Sequence, residues 1–198
     1  MHSGNETCLE LPGPWIEHPH REWAFLSRML LDALLDQLKE AQLVLTLFQG
    51  ASAQDNPCVG CRLRSLHARS FVYALDAAGQ LIRVLEKCEQ LPVTARSHCE
   101  RFLSKFGLLR DLRNSLQHTE DRLRGIGRHN KPIPNSLLVL GGFRDNSFGA
   151  TTAEGRYVEV EISNSVLVQA FAMVEDLIWC FDWLGPGNIR LYRANVGA

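Results

Sequence analysis

No apolar stretch in these 198 residues reaches the roughly 18 uncharged positions a membrane-spanning helix needs, so no transmembrane segment is expected. The start, Met1 to Thr7, has neither the basic residues nor the apolar run of a secretory signal; a cytoplasmic protein is the expectation. Six cysteines lie at positions 8, 58, 61, 88, 99 and 180 with no framework spacing, and a chain of this size does not need a disulfide scaffold. Cys88, Cys99 and Cys180 fall inside apolar helical patterns, where a free thiol acts as a small hydrophobe. Cys58 and Cys61 form half of a zinc site and His67 is a conceivable third ligand, yet no second C-x-x-C or H-x-x-H completes it. They read as two unrelated loop cysteines. Carboxylates are not clustered as metal ligands, so no metal and no cofactor is expected. There is no internal repeat. Charge of one sign is lacking too: the net is -1, which excludes binding of polyanions by bulk attraction.

What charge there is, is unevenly placed. Arg101 to Lys131 holds eight Lys or Arg against three Asp or Glu, so a basic surface is expected there. A solvated, salt-bridged helix face explains the same count equally well. Apolar content of 45% and a mass of 22.3 kDa are those of an ordinary globular chain with a full core.

Residues 1–20 read as an irregular arm rich in Gly, Pro and His, and 21–198 as one helical domain. Trp15 and Ile16 are candidates to pack the arm on the body. A first helix is expected from Arg21 to Phe48, with a stripe through Trp23, Leu26, Leu30, Ala33, Leu34, Leu38, Ala41, Leu45 and Phe48. The stretch from Gly50 to Cys61 reads as loop by composition. A second helix is expected from Arg62 or Leu63 to just before Pro92. A third starts at Ser97, which makes a capping box with Glu100, and continues to Leu123 or Arg124, where Gly125 and Gly127 stop it. Leu137 to Leu140 and Arg156 to Ile162 read as two strands of a hairpin inserted at about 137–162, with Val158, Val160 and Ile162 covered and a flexible loop around Asn146 to Gly155. Ser163 or Asn164 caps a fourth helix with a stripe from Val166 to Leu184, and the tail to Ala198 reads as loosely held. The expected fold is all-α, an up-and-down four-helix bundle with a small β-hairpin between the third and fourth helices.

Within the third helix, Leu109, Leu112, Leu116 and Leu123 recur at about helical spacing, which predicts an amphipathic helix. Asn114 and His118 are four apart and share a face, which Arg110 extends one turn back. Arg113 lies beside that row, about 140° round the helix from His118. Guanidinium, amide and imidazole on one polar edge are a kit for handling phosphate: Arg binds the anion by a planar fork, and His moves protons near neutral pH.

The run Arg113-Asn114-Ser115-Leu116-Gln117-His118 resembles the R-x4-6-H motif of the HEPN superfamily, which carries Asn, His or Asp after the Arg. The resemblance covers Arg21 to Arg124 and the last helix, and leaves out the arm and Lys131 to Ile162. It implies a metal-independent endoribonuclease, in a toxin or a defence effector. The alternative it leaves open is a non-catalytic relative that binds RNA, nucleotide or a protein partner. In the catalytic reading His118 takes the proton from the 2′-hydroxyl of RNA and Arg113 holds the non-bridging phosphate oxygens. Asn114 orients the imidazole or contacts the phosphate, and Arg110 and Arg122 bind RNA. The products are a 2′,3′-cyclic phosphate and a 5′-hydroxyl. The leaving oxygen needs an acid, which a second His118 supplies in the homodimer that the resemblance implies. The bland alternative has His118 at a helix end and Arg113 paired with a carboxylate. A protein antitoxin or regulator is a possible partner of such toxins. Some carry a Tyr two residues after the His that a partner enzyme modifies; Glu120 stands there in this chain, so that form of control is not expected.

Overall fold

The long stripe that begins at Trp23 winds into α1 (Arg21–Ala51) in the computed structural model of the chain, which describes residues 9–51, 56–133 and 138–193. Leu31, Leu34, Leu35, Leu38, Leu45 and Phe48 fill its buried side, whereas Leu26 is exposed. Helix α2 runs Pro57–Glu86, five residues earlier than expected. Its start is written in Asn56 and Pro57. The Asn56 side chain accepts hydrogen bonds from the Cys58 and Val59 amides at 3.0 and 3.3 Å, and Pro57 sits at N1, where its missing N–H costs nothing. Cys58 and Cys61 are exposed residues of the first two turns of this helix, not of a loop. Residues 52–55 of the expected loop, and Cys8, lie outside the described residues. Helices α1 and α2 pack along their lengths, with Ala74, Ala78 and Gly79 buried on α2.

The expected third helix is three pieces: α3 (Val93–Lys105), α4 (Leu108–Gln117) and α5 (Thr119–Leu123). Ser97 does not cap it. The N-cap is Pro92, five residues earlier, and the Ser97 hydroxyl donates to the Thr94 carbonyl at 2.7 Å. The tighter anchor is Arg96, whose guanidinium donates to the Glu86 and Cys88 carbonyls at 2.6 and 3.1 Å and so closes the end of α2. The first break falls at Phe106, whose φ of -106° and ψ of 16° leave the helix just before Gly107. The second falls at His118, whose φ of -101° and ψ of 39° leave the helix.

Nor is the fold purely α; it is mostly helical, with small antiparallel sheets. The expected mobile loop contains a strand. β2 (Gly142–Arg144), β3 (Ser147–Thr151) and β4 (Tyr157–Glu161) form an antiparallel sheet in that order. Asp145, at φ 56°, makes the turn between β2 and β3. Phe148 and Ala150 of β3 are buried with Val158 and Ile162, and Val160 packs on the same core. Leu137 lies outside the described residues. Val139 is tied to Thr151 by two hydrogen bonds rather than paired with β4. Gly149 is required by the Val158 carbonyl oxygen, which would lie 2.6 Å from any Cβ at that position. Arg64 of α2 stands over the rings of Phe48 and Phe143, at 5.0 and 4.9 Å, and fastens the sheet to the helices.

Ser163 caps α6 (Asn164–Ile178) through the Val166 amide at 3.4 Å. The helix ends at Ile178, not at Leu184, because Trp183 folds back and its indole N–H donates to the Ile178 carbonyl at 2.7 Å. The chain then forms β5 (Trp183–Leu184) and β6 (Arg190–Leu191), which with β1 (Trp15–Ile16) give a second three-stranded sheet, order β1-β5-β6. The arm thus packs through Ile16, which is buried, whereas Trp15 is exposed and is held by strand pairing with Leu184. The tail is held as far as Arg193: Arg190 pairs with Glu17 at 2.6 Å, and Arg193 with Asp176 at 3.0 Å.

Two measurable consequences follow from this packing. Burial raises the Asp176 carboxyl, yet Arg101 at 2.8 Å and Arg193 outweigh it and hold its pKa below the ordinary value. A folded-state pKa that is depressed stabilises above the ordinary carboxylate range, and that contribution is lost as pH falls through the folded value. Melting temperature should therefore fall on acidification below about pH 4, less steeply in Asp176→Asn; parallel curves would exclude the linkage. Burial, followed by the nearby Glu86 charge, pushes the Cys99 thiol up to about 12. In the native protein a thiol reagent should label Cys58 and Cys61 readily and Cys99 only on unfolding, as read by mass spectrometry.

Candidate functional site

Helix α4 lies between α2 on one side and strands β3 and β4 on the other. Leu109, Leu112 and Leu116 are buried and fix its rotation. That rotation sends the polar residues of the motif to two different places.

Arg113 turns towards α2. Its Nε is 3.0 Å from Oδ2 of Asp76, a carboxylate only 4% exposed. Beside this ion pair, Gln80 donates a hydrogen bond to Asp76 at 3.3 Å. Arg113 lines a groove with Tyr73, Gln80 and Gln117. The expected phosphate clamp is thus committed to a buried acid. Asn114 and His118 turn the other way. They line a polar cleft of about 580 Å³ between α4, α5, the loop after α5 and the turn between β3 and β4.

That cleft is built by local backbone chemistry. Gly125, at φ 70°, ends α5 and turns the chain back, so that Ile126 bridges to Pro132 and Ile133 N–H reaches the Gly125 carbonyl at 2.8 Å. Gly127 has the Ala153 carbonyl so close that no Cβ would fit. The loop tip carries Arg128, His129 and Asn130, and His129 and Asn130 both have positive φ, 56° and 58°. Two successive non-glycine residues in the left-handed region are strained, and such strain gathers at ligand sites. His129 and Arg128 line the cleft that His118 lines.

The charges in the cleft sort into pairs and leftovers. His118 Nδ1 is 3.7 Å from Asp121 Oδ2, and Arg156 is 3.7 Å from Asp111. Glu154 and Arg128 are exposed. Arg122 lies only 5% exposed, with one terminal nitrogen donating to the Ile126 carbonyl. It is therefore not the surface contact expected of it. Arg110 is exposed. Of the basic stretch, Arg101, Arg113 and Arg122 are tied down. Lys105, Arg110, Arg124, Arg128 and Lys131 remain exposed and without ion pairs among the described residues.

The structure thus brings together Asn114, His118 and Arg122 at the cleft and turns Arg113 away from them, while Arg110, one turn before Asn114 on α4, is exposed and does not line the cleft. His129, Arg128 and Arg156 were missed by sequence reasoning. They lie in turns with no periodicity, and the only local signal was the pair of glycines before His129. Compared with models of protein families, with curated proteins and with solved structures, the chain matches none. Among the described residues no three His, Cys, Asp or Glu side chains are grouped to hold a metal ion, and no helix is long and apolar enough to cross a membrane.

Proposed function

We propose that the chain is a metal-independent endoribonuclease of HEPN type. In this reading α1, α2, the broken third helix α3 to α5, and α6 are the four members of the bundle, and the chemistry belongs to the cleft beside α4. One observation carries the proposal: His118 stands exposed at a polar cleft that also holds Asn114, a second imidazole from His129, and guanidinium groups. RNA brings its own nucleophile. The neutral His118 imidazole takes the 2′-hydroxyl proton, and the oxygen attacks the adjacent phosphorus. The bond from phosphorus to the 5′-oxygen breaks, and a protonated imidazole returns a proton to that oxygen. That second imidazole is His118 of another copy, in the homodimer that the resemblance implies, or His129 of the same chain. The five exposed cations of the basic stretch that have no ion pair among the described residues would attract the backbone, with a salt-dependent affinity to which Arg110 contributes.

A second reading has its own observation. Arg113 is bound to a buried Asp76 and faces away from His118, which suits a non-catalytic module that binds RNA or a protein partner such as an antitoxin. The two readings part in one experiment. Purified protein is incubated with total RNA in EDTA, beside His118→Ala. The ribonuclease leaves fragments with 2′,3′-cyclic phosphate and 5′-hydroxyl ends, and the variant does not. Binding without cleavage by either protein gives the second reading. Cleavage only on addition of Mg²⁺ removes the first.

A further inference from the structure

Two charged side chains are buried among the described residues, Asp76 and Arg122. Asp76 has Arg113 as its counter-charge. Arg122 has none: no carboxylate of the described residues comes within 4.0 Å of it. One of its nitrogens donates to the Ile126 carbonyl, and its Nε is buried without any hydrogen-bond partner. A buried cation lacking a counter-charge is costly, and this one lies in the wall of an open cleft. The acids of that cleft are otherwise occupied or solvated: Asp111 faces Arg156, Asp121 faces His118, and Glu154 is exposed at the rim. A negatively charged ligand seated in the cleft would supply the missing counter-charge.

The rest of the lining selects the class of ligand. Guanidinium offers a planar fork that matches the oxygens of a phosphate. His118 and His129 reach the cleft from different segments, one from the junction of α4 and α5 and one from the strained loop tip. Asn114, Ser115 and Thr152 add neutral polar groups. A volume of about 580 Å³ accommodates a phosphate with its flanking sugar.

We propose that this cleft is a preformed phosphate subsite, in which Arg122 supplies the fixed positive charge and His118 and His129 of one chain hydrogen-bond the bound group. Its use in catalysis rests on the ribonuclease reading, where it moves the clamp from Arg113 to Arg122 and makes His129 the second imidazole. Its occupancy does not rest on that reading and is measured without cleavage.

The test titrates inorganic phosphate into the full chain at constant ionic strength, following the imidazole ring resonances by NMR and the melting temperature. The expected result is a saturable shift of the His118 and His129 signals and a rise in melting temperature. Acetate at the same concentration should do neither. Arg122→Lys keeps a charge and loses the fork, and should weaken phosphate binding about tenfold or more, the worth of one charge-assisted hydrogen bond. Should the buried variant fail to fold, exposed His129→Asn, which tolerates the left-handed backbone, should weaken binding about as much. Unmoved histidine signals, equal binding of acetate, or unchanged affinity in both variants would overturn the subsite. A 2′-O-methylated RNA, which lacks the nucleophile, should displace the phosphate if the bound group belongs to RNA. Phosphate binding without that displacement leaves the subsite standing for a small phosphorylated ligand and ends its role in RNA cleavage. Cleavage that depends on His118, in a protein whose histidines ignore phosphate, does the reverse.

Discussion

Arg113→Ala should lower the melting temperature by about 6–12 °C. Removing one partner of a buried ion pair leaves an uncompensated charge, at a cost of about 3–5 kcal/mol. The lower end applies here, because Arg113 is partly exposed and Gln80 still donates to Asp76. For a chain of this size each kcal/mol moves the midpoint by about 2–4 °C. Asp76→Ala in the same background should restore part of the loss, since it removes the stranded carboxylate. Calorimetry on the two single variants and the double variant measures the coupling. The result also decides how any loss of cleavage in Arg113→Ala is to be read. A large fall in melting temperature that the second substitution partly reverses makes Arg113 a strut of the fold. An unchanged midpoint with lost cleavage returns it to the phosphate, as the motif alone suggested.

The difference between those outcomes was half visible in the sequence. A separation of five positions puts Arg113 about 140° from His118 on a helix, too far to share one narrow face. What could not be read was where Arg113 goes, because its partner Asp76 sits one turn before Gln80 on another helix, and nothing local joins them. The stripes of α1, α2, α4 and α6 were legible because burial repeats with the helical period. The breaks were not. Gly107 reads as one glycine in a good helical pattern, and only the backbone angles of Phe106 before it show that a helix ends there. At Asn56 and Pro57 the opposite error arose: a strong start signal was hidden in a stretch whose overall composition says loop. Strand β3 escaped for a third reason. Ser147-Phe148-Gly149-Ala150-Thr151 has little strand propensity of its own, and it becomes a strand by pairing with β2 and β4 and burying Phe148 and Ala150. The same sheet ends in the turn that supplies Thr152 and Arg156 to the cleft, so missing β3 also hid that wall of the site.

His118→Ala should reduce the rate of RNA cleavage by about 10²–10⁴, the usual contribution of a positioned proton-transfer group, with a much smaller loss of RNA affinity. His129→Asn should cost a similar factor if its imidazole is the acid of the same chain. The two losses should not add, because each variant stops one concerted transfer of protons. The pH dependence separates the roles. A pair in which one imidazole works neutral and the other protonated gives a bell-shaped profile. His129→Asn should remove the fall on the alkaline side, where the acid deprotonates, and His118→Ala the fall on the acid side, where the base protonates. Arg110→Ala should instead weaken binding, with a shallower salt dependence and little change in the chemical step. A dimer that works with two copies of His118 behaves differently: His129→Asn cleaves at the parent rate, and mixing inactive His118→Ala protein with the parent lowers activity by more than dilution. Full activity in His118→Ala would show that the cleft beside α4 is not where RNA is cut.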